Sequence, residues 1–312
     1  MGEPAILAAC LLDAKFGWPD QLYRRVGHPV GLFARCIEWF ERKYNRAPLG
    51  FARRRALGIC AMLAMSVPLA LLCGLIEQAL AAAFGTWHWI GLSLLAWPAL
   101  AQRSLFEHVE AVRRALANND VSAAQIAVGR IVGRDTELLD TQGVVRAAIE
   151  SLSESFCDAV VAPLFWFALA GLPGIWCYKL INTADSMIGH KEDRWRAFGW
   201  AAARTDDVAN WLPARLSAVF ICLAGGGGWS ILRRDASKHA SPNSGWPEAA
   251  MAGALRIRLA GPACYDGLSY VKPWIGEDSR ELSSDDIASA LVIYRRACVL
   301  AALIIGGTAW LL

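Results

Sequence analysis

The feature that most constrains this chain is the uncharged run between Arg55 and Glu77, ALGICAMLAMSVPLALLCGLI, 21 residues long. As a helix rising about 1.5 Å per residue it covers about 30 Å, the thickness of the hydrocarbon core of a bilayer. Residues 78–102 are again uncharged, and the break AAAFGTWHWIGL carries Gly85, Trp87 and Trp89, small and aromatic residues suited to a turn at a lipid interface. The two runs predict a helical hairpin. Composition points the same way: 55% of the 312 residues are apolar and 19% charged, which suits neither a disordered chain nor an ordinary soluble domain. A formal net charge of +3 is no polyanion-binding footprint, so the expected partners include membrane lipid and no nucleic acid.

Further apolar stretches lie at 4–12, 159–178, 216–232 and 297–312. With 56–76 and 78–101 they make residues 1–312 read as a single integral membrane domain. The run from Pro4 to Leu12 follows Glu3 rather than a basic region and has no small-residue cleavage site, so it does not read as a signal peptide. All 31 basic residues fall in four blocks, 14–55, 103–158, 179–215 and 233–296, and none lies at the hairpin tip. The positive-inside rule then puts the tip outside and the first two blocks at the cytoplasm. A full crossing at 159–178, which Gly171-Leu172-Pro173-Gly174 interrupts, would carry the six basic residues of the third block outside. The charge pattern therefore predicts that 159–178 and 216–232 re-enter or are buried within the fold, the alternative being two ordinary spans with a basic outer loop. Helical periodicity dominates and no segment sustains period-two alternation. The expected class is mainly α, a polytopic integral membrane helical bundle with a polar face at the cytoplasm.

Nine cysteines without CxxC or zinc-ligand register read as reduced and structural. Gly225–Gly228 reads as a flexible end of an apolar element. GxxxxGK[ST], HExxH and GxSxG are absent, so any ATP is held by something other than a Walker A loop.

Chemistry must then come from the polar blocks. RSLFEHVEAVRRALANND places Leu105, Val109, Val112 and Leu116 on one helical face, with Asn118-Asn119-Asp120 as stop and next cap. The short helix VSAAQIAVGRIV ends in Gly133-Arg134-Asp135-Thr136, either a phosphate or metal corner or an Arg-Asp surface pair with Thr136 as a cap. Glu150, Glu154 and Asp158 recur at i, i+4 and i+8, stacking three carboxylates on one face of a helix. Like charges so spaced repel, so a cation is expected: Mg²⁺, or Arg146 and other basic side chains. In the third block, helical spacing puts Lys179, Asn182, Asp185 and Ser186 along one side and ends the helix at Gly189-His190. Arg204 with Asp207, and Asp206 with Asn210, cluster again before Pro213; the alternative is a solvated amphipathic pair. In SPNSGWPEAAMAGAL, Glu248 reads as a helix-start acid, and Asn243 lies in a loop able to clamp a ligand.

Taken together, HPVGLFAR from His28, RSLFEHVEAVRRAL from Arg103, IVGRDTELLD from Ile131, RAAIESLSESFCDAVVAPLFW from Arg146, YKLINTADSMIGHKEDRWRAFGWAAARTDDVANWLPAR from Tyr178 and SPNSGWPEAAMAGAL from Ser241 resemble the adenosylcobinamide-phosphate synthases of cobalamin biosynthesis, nearly end to end. The resemblance implies a multi-pass membrane enzyme, its active face cytoplasmic and the bacterial inner membrane its site. It would use ATP and Mg²⁺ to join a carboxylate of adenosylcobyric acid, a corrinoid, to an amino-alcohol phosphate as an amide. Homo-oligomers and complexes with pathway enzymes stay open.

Amide formation requires an activated acyl group, cations at phosphoryl oxygens and a placed amine. On that basis Glu150, Glu154 and Asp158 are expected as Mg²⁺ ligands or as a base for the incoming ammonium, and Lys179 as a further catalytic residue. Arg134, Lys179, Arg204 and Arg215 are expected to hold phosphates, and Asp135, Thr136, Asn182, Asp185, Ser186, Asp206, Asp207 and Asn243 to orient metal, nucleotide or substrate, with Asp206 and Asp207 as further metal ligands. Three departures from the family pattern stand out. The usual Gly-Asp-Pro is Gly17-Trp18-Pro19, the usual Ala-Glu-Asn is Ser153-Glu154-Ser155, and the glycine after the third acid is Ala159. A permease or corrinoid-binding membrane protein without catalysis, and a membrane scaffold for pathway enzymes, are the competing readings; ATP consumption separates them from the enzyme.

Overall fold

The computed structural model describes residues 4–265, 268–277 and 280–309. The chain opens with α1 (Ala5–Phe16), α2 (Asp20–Val26), α3 (Pro29–Tyr44), α4 (Phe51–Phe84) and α5 (His88–Ala96). It continues through α6 (Gln102–Ala117), α7 (Val121–Val128), α8 (Thr141–Phe156), a π-helical turn at Cys157–Val161, α9 (Ala162–Ile188), α10 (Trp200–Ala209) and α11 (Trp211–Gly225). Then come α12 (Trp229–Asp235), α13 (Gly245–Leu255), four short strands, and α14 (Ser284–Ala309). Strand β1 (Leu259–Ala260) pairs antiparallel with β4 (Trp274–Ile275), and β2 (Ala263–Tyr265) with β3 (Leu268–Tyr270). The protein is mainly helical, as its periodicity predicts, and the strands are additions that the sequence did not announce: each is too short to show alternation.

The chain divides into two compact units. The first comprises Met1–Ala101, Ala162–Asn210 and Ala302–Leu312; the second comprises Gln102–Val161 and Trp211–Ala301. Among the described residues three helical stretches are long and apolar enough to cross a membrane, Phe51–Ala117, Thr141–Ile188 and Ser284–Thr308, and α10 with α11, bent by 45°, would make a fourth.

In the first unit α4 runs for 34 residues, about 50 Å. Leu63, Val67, Leu71, Leu72 and Leu75 on it are exposed, and only 17% of its most apolar window is buried, the surface of a helix built to face lipid. The hairpin turn lies at Gly85–Trp87, but α4 continues through residue 84, because QALAAAF contains nothing that stops a helix. The return arm carries α5, nine residues or about 14 Å, with single 3-10 turns on either side at Gly85–Trp87 and Trp97–Ala99. The stretch 4–12 lies in α1, 216–232 is shared between α11 and α12, and 297–309 is the end of α14; residues 310–312 lie outside the described set.

Inside 159–178, α9 is broken at Ala170 and Gly171, the latter at φ +59°. Glu77 of α4 enters the break and its Oε2 accepts the Leu172 N–H at 3.2 Å. A helix start leaves N–H groups without partners, and Pro173 has none to leave. The carboxylate thus caps the second half of α9 from a neighbouring helix. Leu180, Ala184 and Ile188 of that half join Ile37, Met62, Phe198 and Ala202 in a core linking α3, α4, α9 and α10. Lys179, Asn182 and Asp185 are left half-buried, and Ser186 is left exposed.

In the second unit Leu105, Val109, Val112 and Leu116 of α6 are buried, as their spacing predicts. Asn119 turns the chain in the left-handed region and Asp120 caps α7 by accepting from the Ala123 N–H at 2.8 Å. Glycines 225–228 end α11 and lead into α12, with open space around Gly226 and Gly227. Gly228 has φ +97°, and a Cβ there would lie 2.7 Å from the Ala250 carbonyl oxygen, so the glycine lets the start of α12 approach the backbone of α13. Among the described residues Cys36, Cys60, Cys73, Cys177 and Cys222 are free thiols; the side chain of Cys264 lies outside the described residues.

Candidate functional site

The second unit gathers charged side chains around the middle of α8. Arg134, in the loop before α8, donates to Glu150 Oε2 at 2.6 Å, and both side chains are largely buried. The other oxygen, Oε1, accepts the Ala260 N–H of β1 at 2.8 Å. Ala260 sits at φ +60°, a conformation that costs about 1–2 kcal/mol in a residue with a Cβ and is held here by a carboxylate. One turn along α8, the exposed Glu154 accepts from Ser244 Oγ at 2.6 Å. Arg146 is not the partner of Glu150: it lies 5.5 Å from the ring centre of Trp274 on β4, and Arg258 lies at 4.2 Å from the same ring.

Facing these acids is Glu248 in the first turn of α13, only 4% exposed. Its Oε1 lies 3.8 Å from His239 Nε2, and its Oε2 is buried with no hydrogen-bond partner among the described residues. Burial, followed by the nearby charges of Glu150 and Glu154, pushes the Glu248 carboxyl well above the usual carboxylate range. Burial likewise pulls His239 below the ordinary histidine value. The His239 ring accepts the Ser241 N–H at 3.0 Å, and Ser241 Oγ accepts the N–H groups of Asn243 and Ser244. The loop SPNS is therefore folded on its own side chains, presenting Ser244 to Glu154. Arg215 of α11 is stacked between Trp211 and Trp246, 4.4 and 4.5 Å from their ring centres, and is near enough to Asn243 Oδ1 for a long hydrogen bond of 3.4 Å.

The first unit holds a separate polar cluster. Asp206 is buried and accepts from Asn182 Nδ2 at 3.3 Å and Asn210 Nδ2 at 3.0 Å, while Tyr178 donates to Asn210 Oδ1 at 3.0 Å. Arg204 pairs with Asp207 at 3.0 Å on an exposed flank, a contact worth little by itself. Ser186 donates back to the Asn182 carbonyl. Lys179 lies close enough to His28, the cap of α3, that its charge adds to burial in lowering the His28 value.

These placements correct three expectations. The stripe Glu150–Glu154–Asp158 does not continue as one face, because the π turn at Cys157–Val161 holds Asp158 and its wider turn rotates that residue off the α-helical register. Among the described residues no three His, Cys, Asp or Glu side chains converge in a way that could hold a metal ion. Glu150 is engaged by Arg134 and the Ala260 N–H, and Glu154 by Ser244. Arg134 turns to Glu150 rather than to Asp135. Thr136 is not a helix cap; α8 is capped by Asp140, which accepts the Gly143 N–H at 2.6 Å, and Thr136 Oγ1 stands against Gly129. Glu248 and His239 were left without a role by the sequence, although an acid in the otherwise alanine-rich GWPEAAMAGAL was a signal that it would be buried.

A mainly helical fold with three helical stretches long and apolar enough to cross a membrane is consistent with one class, the membrane proteins. The chain belongs to the family described as CobD/Cbib protein, which matches residues 6–294. It is 44% identical over 307 residues to the cobalamin biosynthesis protein CobD of Rhodobacter capsulatus, covering 96% of this chain and 95% of that protein. The Sinorhizobium fredii protein of the same name is 44% identical over 306 residues, covering 94% and 92%, and that of Brucella anthropi 44% over 296 residues, covering 92% and 90%. No solved structure matches.

Proposed function

We propose that the protein is an ATP-dependent amide ligase of cobalamin biosynthesis, joining adenosylcobyric acid to aminopropanol phosphate or threonine phosphate. Membership of a family whose named relatives are cobalamin biosynthesis proteins supports the pathway. The observation that carries the chemistry is the cluster of Glu150, Glu154 and Glu248 with Arg134 and His239, which suits the handling of an ammonium group beside an anionic one.

A carboxylate does not condense with an amine unaided. In this reading its oxygen attacks the γ-phosphorus of ATP and ADP leaves; the ammonium gives one proton to Glu154 and attacks the acyl carbon as the free amine, and inorganic phosphate departs as the second proton on nitrogen passes to solvent. Lys179, Arg204, Asn182, Asp185 and Ser186 in the first unit, and Arg134, Arg215, Thr136, Asp135 and Asn243 in the second, are the groups assigned to phosphates and to orientation. Mg²⁺ commonly binds through one or two carboxylates together with substrate phosphates, and the hard-oxygen set around Asp206 fits that mode. Asp206 and Asp207 would hold the ion, which would neutralise phosphoryl charge. Glu150 and Glu154, fixed by Arg134, Ala260 and Ser244, keep a negative potential where the amine enters. Asp158, displaced by the π turn, is given no part in that entry. The active face is assigned to the cytoplasm, where ATP is found.

A second reading rests on one observation: the break in α9 at Gly171, capped by Glu77, is the kind of interrupted helix on which transporters build sites. Detergent-purified protein mixed with adenosylcobyric acid, Mg²⁺, ATP and either amine decides between them. A corrinoid mass increase that requires ATP supports the ligase and names the amine. Corrinoid bound but unchanged with every amine removes it in favour of binding or transport.

A further inference from the structure

We infer that Glu248 is the carboxylate that receives the ammonium group of the amine substrate, a positioning role that rests on the ligase reading above. Three acids stand in this part of the second unit, and two are already engaged: Glu150 by Arg134 and the Ala260 N–H, and Glu154 by Ser244 Oγ. The third, Glu248, is the most deeply buried, at 4% exposure, yet its Oε2 has no partner among the described residues. A buried carboxylate oxygen without a hydrogen-bond partner is costly, so such groups are kept where a donor is to be received.

The charges facing it select the occupant. Glu150 and Glu154 act on it from α8, Arg134 from the loop before α8 and Lys272 from the segment between β3 and β4, with His239 at 3.8 Å. An anion would meet three acids; a neutral hydroxyl would leave the negative potential uncompensated. A primary ammonium supplies three N–H donors, one positive charge and no acceptor, so it satisfies Oε2 directly and compensates the surrounding acids. Burial, followed by the charges of Glu150 and Glu154, pushes the Glu248 carboxyl above its ordinary range, a push that a bound cation would oppose. His239, with Nε2 3.8 Å from Oε1, is placed to keep the carboxyl oriented.

The test is calorimetric titration of the detergent-purified full chain with aminopropanol phosphate and with propanediol phosphate, which lacks the amine. Glu248→Gln, which keeps the shape and removes the charge, is expected to weaken aminopropanol phosphate binding about tenfold to a hundredfold, the usual size of a lost charge-assisted bond. It should raise KM for the amine more than it lowers kcat, and should leave propanediol phosphate and ATP binding unchanged. Glu248→Asp should recover part of the affinity. Unchanged amine binding in Glu248→Gln, or an equal loss for both phosphates in both variants, overturns the assignment. Turnover by the unsubstituted protein is scored separately. If that protein forms no adduct while Glu248→Gln still loses the amine selectively, the ligase reading fails and the ammonium site stands. If adduct forms and Glu248→Gln binds the amine normally, the reverse holds.

Discussion

Replacing Gly171 with alanine tests the capping of α9 by Glu77. The glycine is at φ +59°, and a Cβ built there would lie 2.5 Å from Glu77 Oε2 and 2.7 Å from Oε1. Two costs follow. An alanine in the left-handed region costs about 1–2 kcal/mol relative to glycine. Displacing the carboxylate from the Leu172 N–H removes a hydrogen bond worth about 1–2 kcal/mol and reopens the helix start, so the expected total is about 2–4 kcal/mol. The two parts separate in a double-mutant cycle: with Glu77→Ala already in place, Gly171→Ala should cost only the backbone part, about 1–2 kcal/mol. The assay is reversible unfolding in mixed detergent micelles followed by far-UV circular dichroism, with all four proteins compared. Because the second half of α9 carries Lys179, Asn182 and Asp185, the single variant should also lose ATP-dependent turnover. A Gly171→Ala protein as stable as the parent, or one whose loss is the same with and without Glu77, refutes the reasoning.

Three further outcomes are expected. Arg134→Ala should destabilise the protein by about 3–5 kcal/mol, since it leaves Glu150 partly buried without its cation; adding Glu150→Gln should restore much of the stability in thermal melts but none of the turnover. Asp235 is fully buried, is paired with Arg234 and Lys238, and accepts the Gly276 N–H; the Arg234 guanidinium holds its carboxyl well below the usual range. A depressed folded value means stability that is present above the ordinary carboxylate pKa and lost as pH falls through the folded one. Asp235→Asn should therefore melt lower than the parent at pH 7, and the gap should close as pH falls below about 4; a gap constant with pH would remove the argument. Leu71→Arg, on the exposed face of α4, should lower membrane insertion by about 2.5–3.5 kcal/mol, read as a shift from the membrane to the soluble fraction in a translation assay.

Legibility followed distance along the chain. The buried face of α6, the cap at Asp120, the end of α9 before Gly189 and the break at Gly171 all follow from residues within a turn or two of each other, where helix periodicity and capping chemistry operate. Lys179, Asn182, Asp185 and Ser186 share the side of α9 left outside the core for the same reason. Partner choice was not local. Glu150 had a basic residue one turn away in Arg146, yet its partners are Arg134 and the Ala260 N–H, because β1 brings a strained backbone amide to it and Trp274 takes Arg146. Asp158 left the acid stripe because one π turn changes the register, and nothing in CDAVV signals that turn.

By itself, then, the sequence determined what is set by composition, periodicity and extended similarity: a helical membrane protein, the turn near Gly85, the interrupted helix at 159–178 and the family. Its long uncharged runs suit a bilayer, since such surface is expelled from water. Tertiary structure alone decided that α4 carries the first arm of the hairpin through residue 84, that the chain forms two units, and that an unremarked acid, Glu248, lies buried with an unpartnered oxygen. Burial and electrostatic environment belong to groups far apart in the chain that packing brings together, and no spacing rule within one helix contains them.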